Sequence, residues 1–167
     1  MFVQLNTQLM KKGIILVMGL VASTSFFACK NDNNTVVTPT TKTIFSAVLN
    51  GASEKPTSTT SPATGTFEGS LENTTNVMSY TLTYKGFPTS STVTMGHLHE
   101  VTPNSTSGVN GTGPAVIPFG TLASPIVGTT TLTQARVDSM KNGFFYANIH
   151  TNDFPGGAIR GNLVRQN

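Results

Sequence analysis

FFYANIHTNDFPGGAIRGNL, Phe144 to Leu163, is the stretch whose reading decides the fold. Its first half alternates: Phe145, Ala147 and Ile149 fall on one face of an extended strand, and Tyr146, Asn148 and His150 on the other. Pro155-Gly156-Gly157 then turns the chain, and a second strand sets Ile159 and Leu163 against Arg160 and Asn162. The pattern predicts a hairpin with one apolar face toward a core. The opposite face gathers an amide, an imidazole and a guanidinium. The only other histidines, His97 and His99, stand in Met95-Gly96-His97-Leu98-His99-Glu100, where strand alternation points both rings one way and Leu98 the other. We therefore expect the two segments to meet in one polar site at one end of the fold. His97, His99 and His150 would form its centre, with Asn148, Thr151, Arg160 and Asn162 around them.

The rest of residues 43–167 reads the same way. Thr, Ser, Gly and Val are abundant, Trp is absent, and helical periodicity is nearly missing. Strands are expected at 44–49, 65–71, 77–84, 93–100, 116–119 and 128–132, ahead of the hairpin. Turn signals at Asn50-Gly51, Glu72-Asn73, Gly86-Phe87-Pro88 and Pro103-Asn104 separate them. One short helix fits 133–141, with Thr133 as its cap, Val137 and Met140 on one face, and Gly143 to end it. The expected fold is all-β: an antiparallel, Greek-key-like sandwich or flattened barrel carrying one helix on a connection. Residues 104–113, NSTSGVNGTG, hold too few apolar side chains for an element and read either as a flap over the histidines or as a plain surface loop.

Five short motifs follow one another in order. They are Phe45-x-Ala47-x-Leu49-Asn50-Gly51 with Glu54-x-Pro56, His97-Leu98-His99, Gly113-Pro114, Tyr146-x-Asn148-x-His150-Thr151, and Pro155-Gly156-Gly157-x-Ile159-Arg160-Gly161. Together they resemble the CHRD domain, repeated in chordin and found singly in secreted bacterial proteins, over roughly residues 43–164. Two positions depart from that pattern: Ala158 stands where the family usually has an acidic residue, and Asn162 where it often has Gln. In the resembling animal proteins the domain lies within a secreted growth-factor antagonist, which implies extracellular protein contact.

Ahead of the domain, Lys11 and Lys12 precede a largely apolar run from Gly13 to Phe27, the layout of a secretory signal and too short for a comfortable membrane span. The run ends at Ala28-Cys29, and Cys29 is the one cysteine in the chain. A small residue and then Cys at the end of a signal resembles the bacterial lipobox, whose cysteine is acylated and becomes the new N-terminus. The expected organisation is a lipoprotein signal peptide at 1–28, a flexible tether at 29–42 and the β domain at 43–167. The protein is then exported and held by lipid on the bacterial outer membrane or cell surface. Without Lys11 and Lys12, eight Lys and Arg face seven Asp and Glu, a net charge of +1. No basic cluster with interleaved aromatics survives to support nucleic-acid binding.

Neither a Ser-His-acid order, a nucleophile elbow, a phosphate loop nor a pair of catalytic carboxylates is present. The residues point to a binding or interaction module on the envelope. The alternative is a Cu- or Zn-binding protein, or a metalloenzyme of superoxide-dismutase type, built on His97, His99 and His150. Three neutral imidazoles suit both metals and leave an open position. The His-x-His on a strand is similar to the copper motif of that enzyme, itself an antiparallel barrel, although a fourth histidine and a disulfide are lacking here. As a plain polar network, the same rings would bond carbonyls, Asn148 and one another. Arg160 is expected either to pair with a carboxylate of a partner or substrate or, more plainly, to bond carbonyls of the Thr151 to Pro155 loop; Asp153 is a candidate extra ligand, while alternation points Glu100 away from the histidines.

Overall fold

A computed structural model describes residues 41–102 and 107–167. The expected signal peptide, Cys29 and nearly all of the expected tether lie outside the described residues, as do residues 103–106.

Among the described residues nine strands and one α-helix follow in order: β1 Lys42–Asn50, β2 Thr64–Glu72, β3 Val77–Lys85, β4 Val93–Glu100, β5 Ala115–Pro118, β6 Ile126–Thr131, α1 Gln134–Lys141, β7 Phe145–Thr151, β8 Ile159–Asn162 and β9 Val164–Arg165. They form one antiparallel sheet in the spatial order β5-β4-β7-β8-β1-β2-β3-β6, with β9 also on β1. The sheet curls into a nearly closed, flattened barrel, as the strand pattern predicts. The strand β9 was too short to leave a pattern in the sequence.

Alternation builds the interior. Ala47, Phe67, Leu82 and Ile126 stand opposite one another across β1, β2, β3 and β6, and all four are buried. Tyr80 stacks on Phe67 and, 5.4 Å away, meets Phe119 just past β5, so aromatic rings link the β5 edge to β3, the strand next to the other edge. Gly128 leaves room for this: a Cβ there would lie 2.3 Å from the Tyr80 hydroxyl. Helix α1 closes the bottom of the core with Val137 and Met140. The Thr133 side chain caps its first turn through the Arg136 N–H, and Gly143, at φ +81°, follows its end.

On the other side of the barrel the pattern changes. Every residue of β7 is buried, polar ones included, whereas alternation predicts one solvated face. Segments distant in sequence cover the outer face of β4, β7 and β8, and under them lies the polar layer.

Candidate metal centre

Strand register lays out this layer as a lattice. His97 on β4 stands opposite Asn148 on β7, which stands opposite Arg160 on β8. One step along, His99, Tyr146 and Asn162 form the next row, and on the other side Met95 faces His150. Directly opposed antiparallel residues share a face with Cβ atoms about 4.5–5.5 Å apart. The two separated histidine segments thus meet, as their spacing predicts. They meet on the outer face of the sheet rather than at an end of the barrel, because β4 and β7 are direct neighbours over seven residue pairs.

The rings of His97, His99 and His150 have centroids 4.9 to 6.0 Å apart, and one ring nitrogen of each lies within 4.8 Å of the others. Backbone carbonyls hold two of them. His99 Nδ1 is 2.8 Å from the Gly113 carbonyl and His150 Nδ1 is 2.9 Å from the Pro155 carbonyl. A carbonyl can only accept, so both Nδ1 atoms carry the proton and both Nε2 atoms keep a lone pair. His99 Nε2 faces His97 Nδ1 at 3.2 Å; His150 Nε2 is buried without a hydrogen-bond partner.

The motifs around the histidines serve this arrangement. Gly113 packs so tightly on β4 that a Cβ would sit 1.8 Å from the Glu100 carbonyl oxygen, and that contact aims its own carbonyl at His99. Pro155 belongs to the β7–β8 turn, which Thr151 caps by accepting from the Phe154 N–H. Gly157 in this turn has φ +132°, and a Cβ would meet Glu54 Oε2 at 2.7 Å and Asn148 Nδ2 at 2.8 Å.

Beside the histidines runs a second polar string. Tyr146 stacks nearly parallel on His99, with centroids 4.6 Å apart, and receives the Arg160 guanidinium 3.5 Å from its ring centre. Arg160, 1% exposed, donates through Nη2 to the carbonyls of Gly108 and Gly111, and reaches the Asn162 side chain. This corrects the expectation that Arg160 holds the Thr151 to Pro155 loop. Its register places it opposite Asn148, away from that turn, and what it holds is the 107–113 segment. Asn148 does not bond the histidines either; its amide donates to Glu54 Oε2 at 3.3 Å. Glu100 points away as expected and pairs with Arg136 at 3.6 Å. Asp153 accepts from Ser91 and stays outside the cluster.

Two members of the layer, Glu54 and Tyr146, carried no functional reading in the sequence. Glu54 is 2% exposed, set there by a 3-10 turn, Gly51–Ser53, whose entry the Asn50 side chain caps. Burial pushes its carboxyl up to about 7, against the pull of Arg160 and the bond from Asn148. The Glu54-x-Pro56 motif was the available signal.

Burial, reinforced by His150 and His99, lowers His97 to about 4, and burial also lowers His99. Both are therefore neutral near pH 7, the form that ligates metals. Bonds of about 2.0–2.1 Å in a tetrahedral site hold ligand nitrogens about 3.3 Å apart; the His97 and His99 nitrogens already match that spacing. His97 is half-buried and, among the described residues, its only hydrogen bond is to His99, so it is the ring free to adjust. The donor set fits copper or zinc, with Gly113 and Pro155 as outer supports.

A family model described as the CHRD domain matches residues 45–163. No curated protein and no solved structure matches the chain.

Proposed function

The chain belongs to the CHRD-domain family, whose membership supports a binding or interaction module, and from that premise we propose that its ligand is a copper or zinc ion held by His97, His99 and His150. The observation that carries this reading is the pair of fixed tautomers: two imidazoles spend their Nδ1 protons on backbone carbonyls and keep Nε2 as a base inside the cluster. A metal would supply Lewis acidity there. The protein's own part is to hold His97 and His99 neutral, aim the three rings and exclude most of the solvent. The working context is the cell envelope, with the exported protein lipid-anchored at Cys29 and the domain carried on the 29–42 tether. Extracellular protein contact, by analogy with the animal members, is compatible with the same role.

Metal analysis of protein purified without a histidine tag, after exposure to Cu and Zn at neutral pH, tests the reading. One metal per chain is expected, and His97→Ala with His99→Ala should abolish it. A wild-type protein that retains no metal sinks the proposal. The same carbonyl bonds favour a second reading, in which the cluster only fixes the loops. The substitutions would then lower stability, and neither protein would take up metal.

A further inference from the structure

Next to the three imidazoles stands a side chain that core packing does not explain. Met95 shares a face of β4 with His97 and His99 by alternation, and it lies directly opposite His150 in the β4–β7 register. It is 46% exposed, although the neighbouring outer face is buried. The core-facing positions of this strand are Gly96 and Leu98, so Met95 contributes nothing to the interior. A bulge between Val93 and Met95 resets the strand at this point, a device that re-aims side chains beside functional sites. An unbranched thioether with three rotatable bonds thus stands beside His150, whose Nε2 has no partner.

We propose that Met95 Sδ is the fourth ligand of this site and that the ion it is built for is monovalent copper. The inference rests on the metal-binding reading above. Ligand softness supports it: thioethers select Cu(I), whereas zinc sites draw on thiolate, imidazole and carboxylate. Charge supports it independently. No carboxylate joins the cluster, because Glu100 is paired with Arg136, Asp153 accepts from Ser91, and Glu54 accepts from Asn148. Three imidazoles and a thioether are all neutral, and the nearest cation, Arg160, stacks on Tyr146 beside His99. A partly buried site with neutral donors and a neighbouring cation costs a divalent ion more than a monovalent one, both in desolvation and in repulsion.

The test is an anaerobic Cu(I) titration in competition with bicinchoninate, beside a Zn(II) titration, on the full chain and its Met95→Leu variant. Both carry Cys29→Ser, since a free thiolate would itself take Cu(I). Leu roughly conserves volume at an exposed position, so the circular dichroism spectrum serves as the folding control. Expected are one Cu(I) per wild-type chain and a loss of about tenfold or more in Cu(I) affinity for Met95→Leu, the least that even outer-shell changes cost a metal site. Zn(II) affinity should stay within about twofold, because zinc makes little use of a thioether. Copper K-edge absorption should show a sulfur neighbour that the variant lacks. Equal Cu(I) affinity in the two proteins, or no sulfur neighbour in the wild type, overturns the Met95 assignment while leaving the histidine site standing. A wild type that binds neither ion overturns both.

Discussion

Glu54 is a buried acid in the polar layer, and its effect on stability has a definite sign. Its folded carboxyl titrates near 7 against an ordinary 4.5, chiefly because burial penalises the anion. Between those values the folded chain holds a proton that the unfolded chain has released, so stability is full below about 4.5 and falls as pH rises through 7. At about 1.4 kcal/mol per unit, the loss is on the order of 3 kcal/mol. His97 acts in the opposite sense. Its folded value near 4 lies below the ordinary 6.5, so its contribution is present above 6.5 and is lost as pH falls toward 4. The two profiles overlap and partly cancel in the wild type. Glu54→Gln, a permanent mimic of the protonated acid, removes one of them. Urea unfolding across pH 4 to 8 should show the variant gaining on the wild type steadily between about 4.5 and 7, ending about 2–3 kcal/mol ahead at pH 8. A difference that is the same at pH 5 and pH 8 would mean that Glu54 ionises as it does in water.

At the scale of elements, β8 and the 107–113 segment are joined chiefly through one side chain. Arg160 donates through Nη2 to the Gly108 and Gly111 carbonyls while its plane rests on Tyr146, a combination that needs a flat guanidinium and not a point charge. Arg160→Lys should therefore cost about 2–3 kcal/mol and release the segment. Amide exchange at Gly108, Asn110 and Gly111 should speed up far more than in β1 to β3; uniform acceleration throughout the domain would show that the pin is not local. The same elements show how far the sequence could be read. β1 to β4, the hairpin and the capped helix were legible because period-two alternation and Thr133 are local signals. The shared face of His97 and His99 was legible for the same reason. Burial of the whole of β7 was not, since Tyr146, Asn148 and His150 look like a solvated face until the 51–59 and 107–114 segments fold over them. The place of Glu54 in the polar layer was not legible, because its partner, Asn148, is 94 residues away and no pattern within a window of ten residues encodes such a contact. The Arg160 contacts span 49 and 52 residues, which is why a plausible nearer loop was assigned to it.

For the molecule as a whole, the proposed reading raises the question of what would keep it at a membrane. Among the described residues no helix is long and apolar enough to cross one, and a net charge of +1 after Cys29 gives almost no attraction to anionic lipid, where each basic residue is worth about 1 kcal/mol. In the proposed reading attachment falls to acyl chains on Cys29, and a single chain would bind only reversibly; two or more are needed for a stable anchor. The consequence is an attachment that salt cannot disturb. Wild-type protein expressed in a Gram-negative host should sediment with membranes in 1 M salt, a concentration that shortens electrostatic reach to about 3 Å, and should incorporate labelled palmitate. Cys29→Ser should lose the label and move to the soluble fraction, with the β domain still folded, since the described strands and the histidine layer lie within residues 42–165. If the wild type washes off in salt, or the variant sediments with it, the anchor lies elsewhere and the metal site must be placed at the envelope by some other contact.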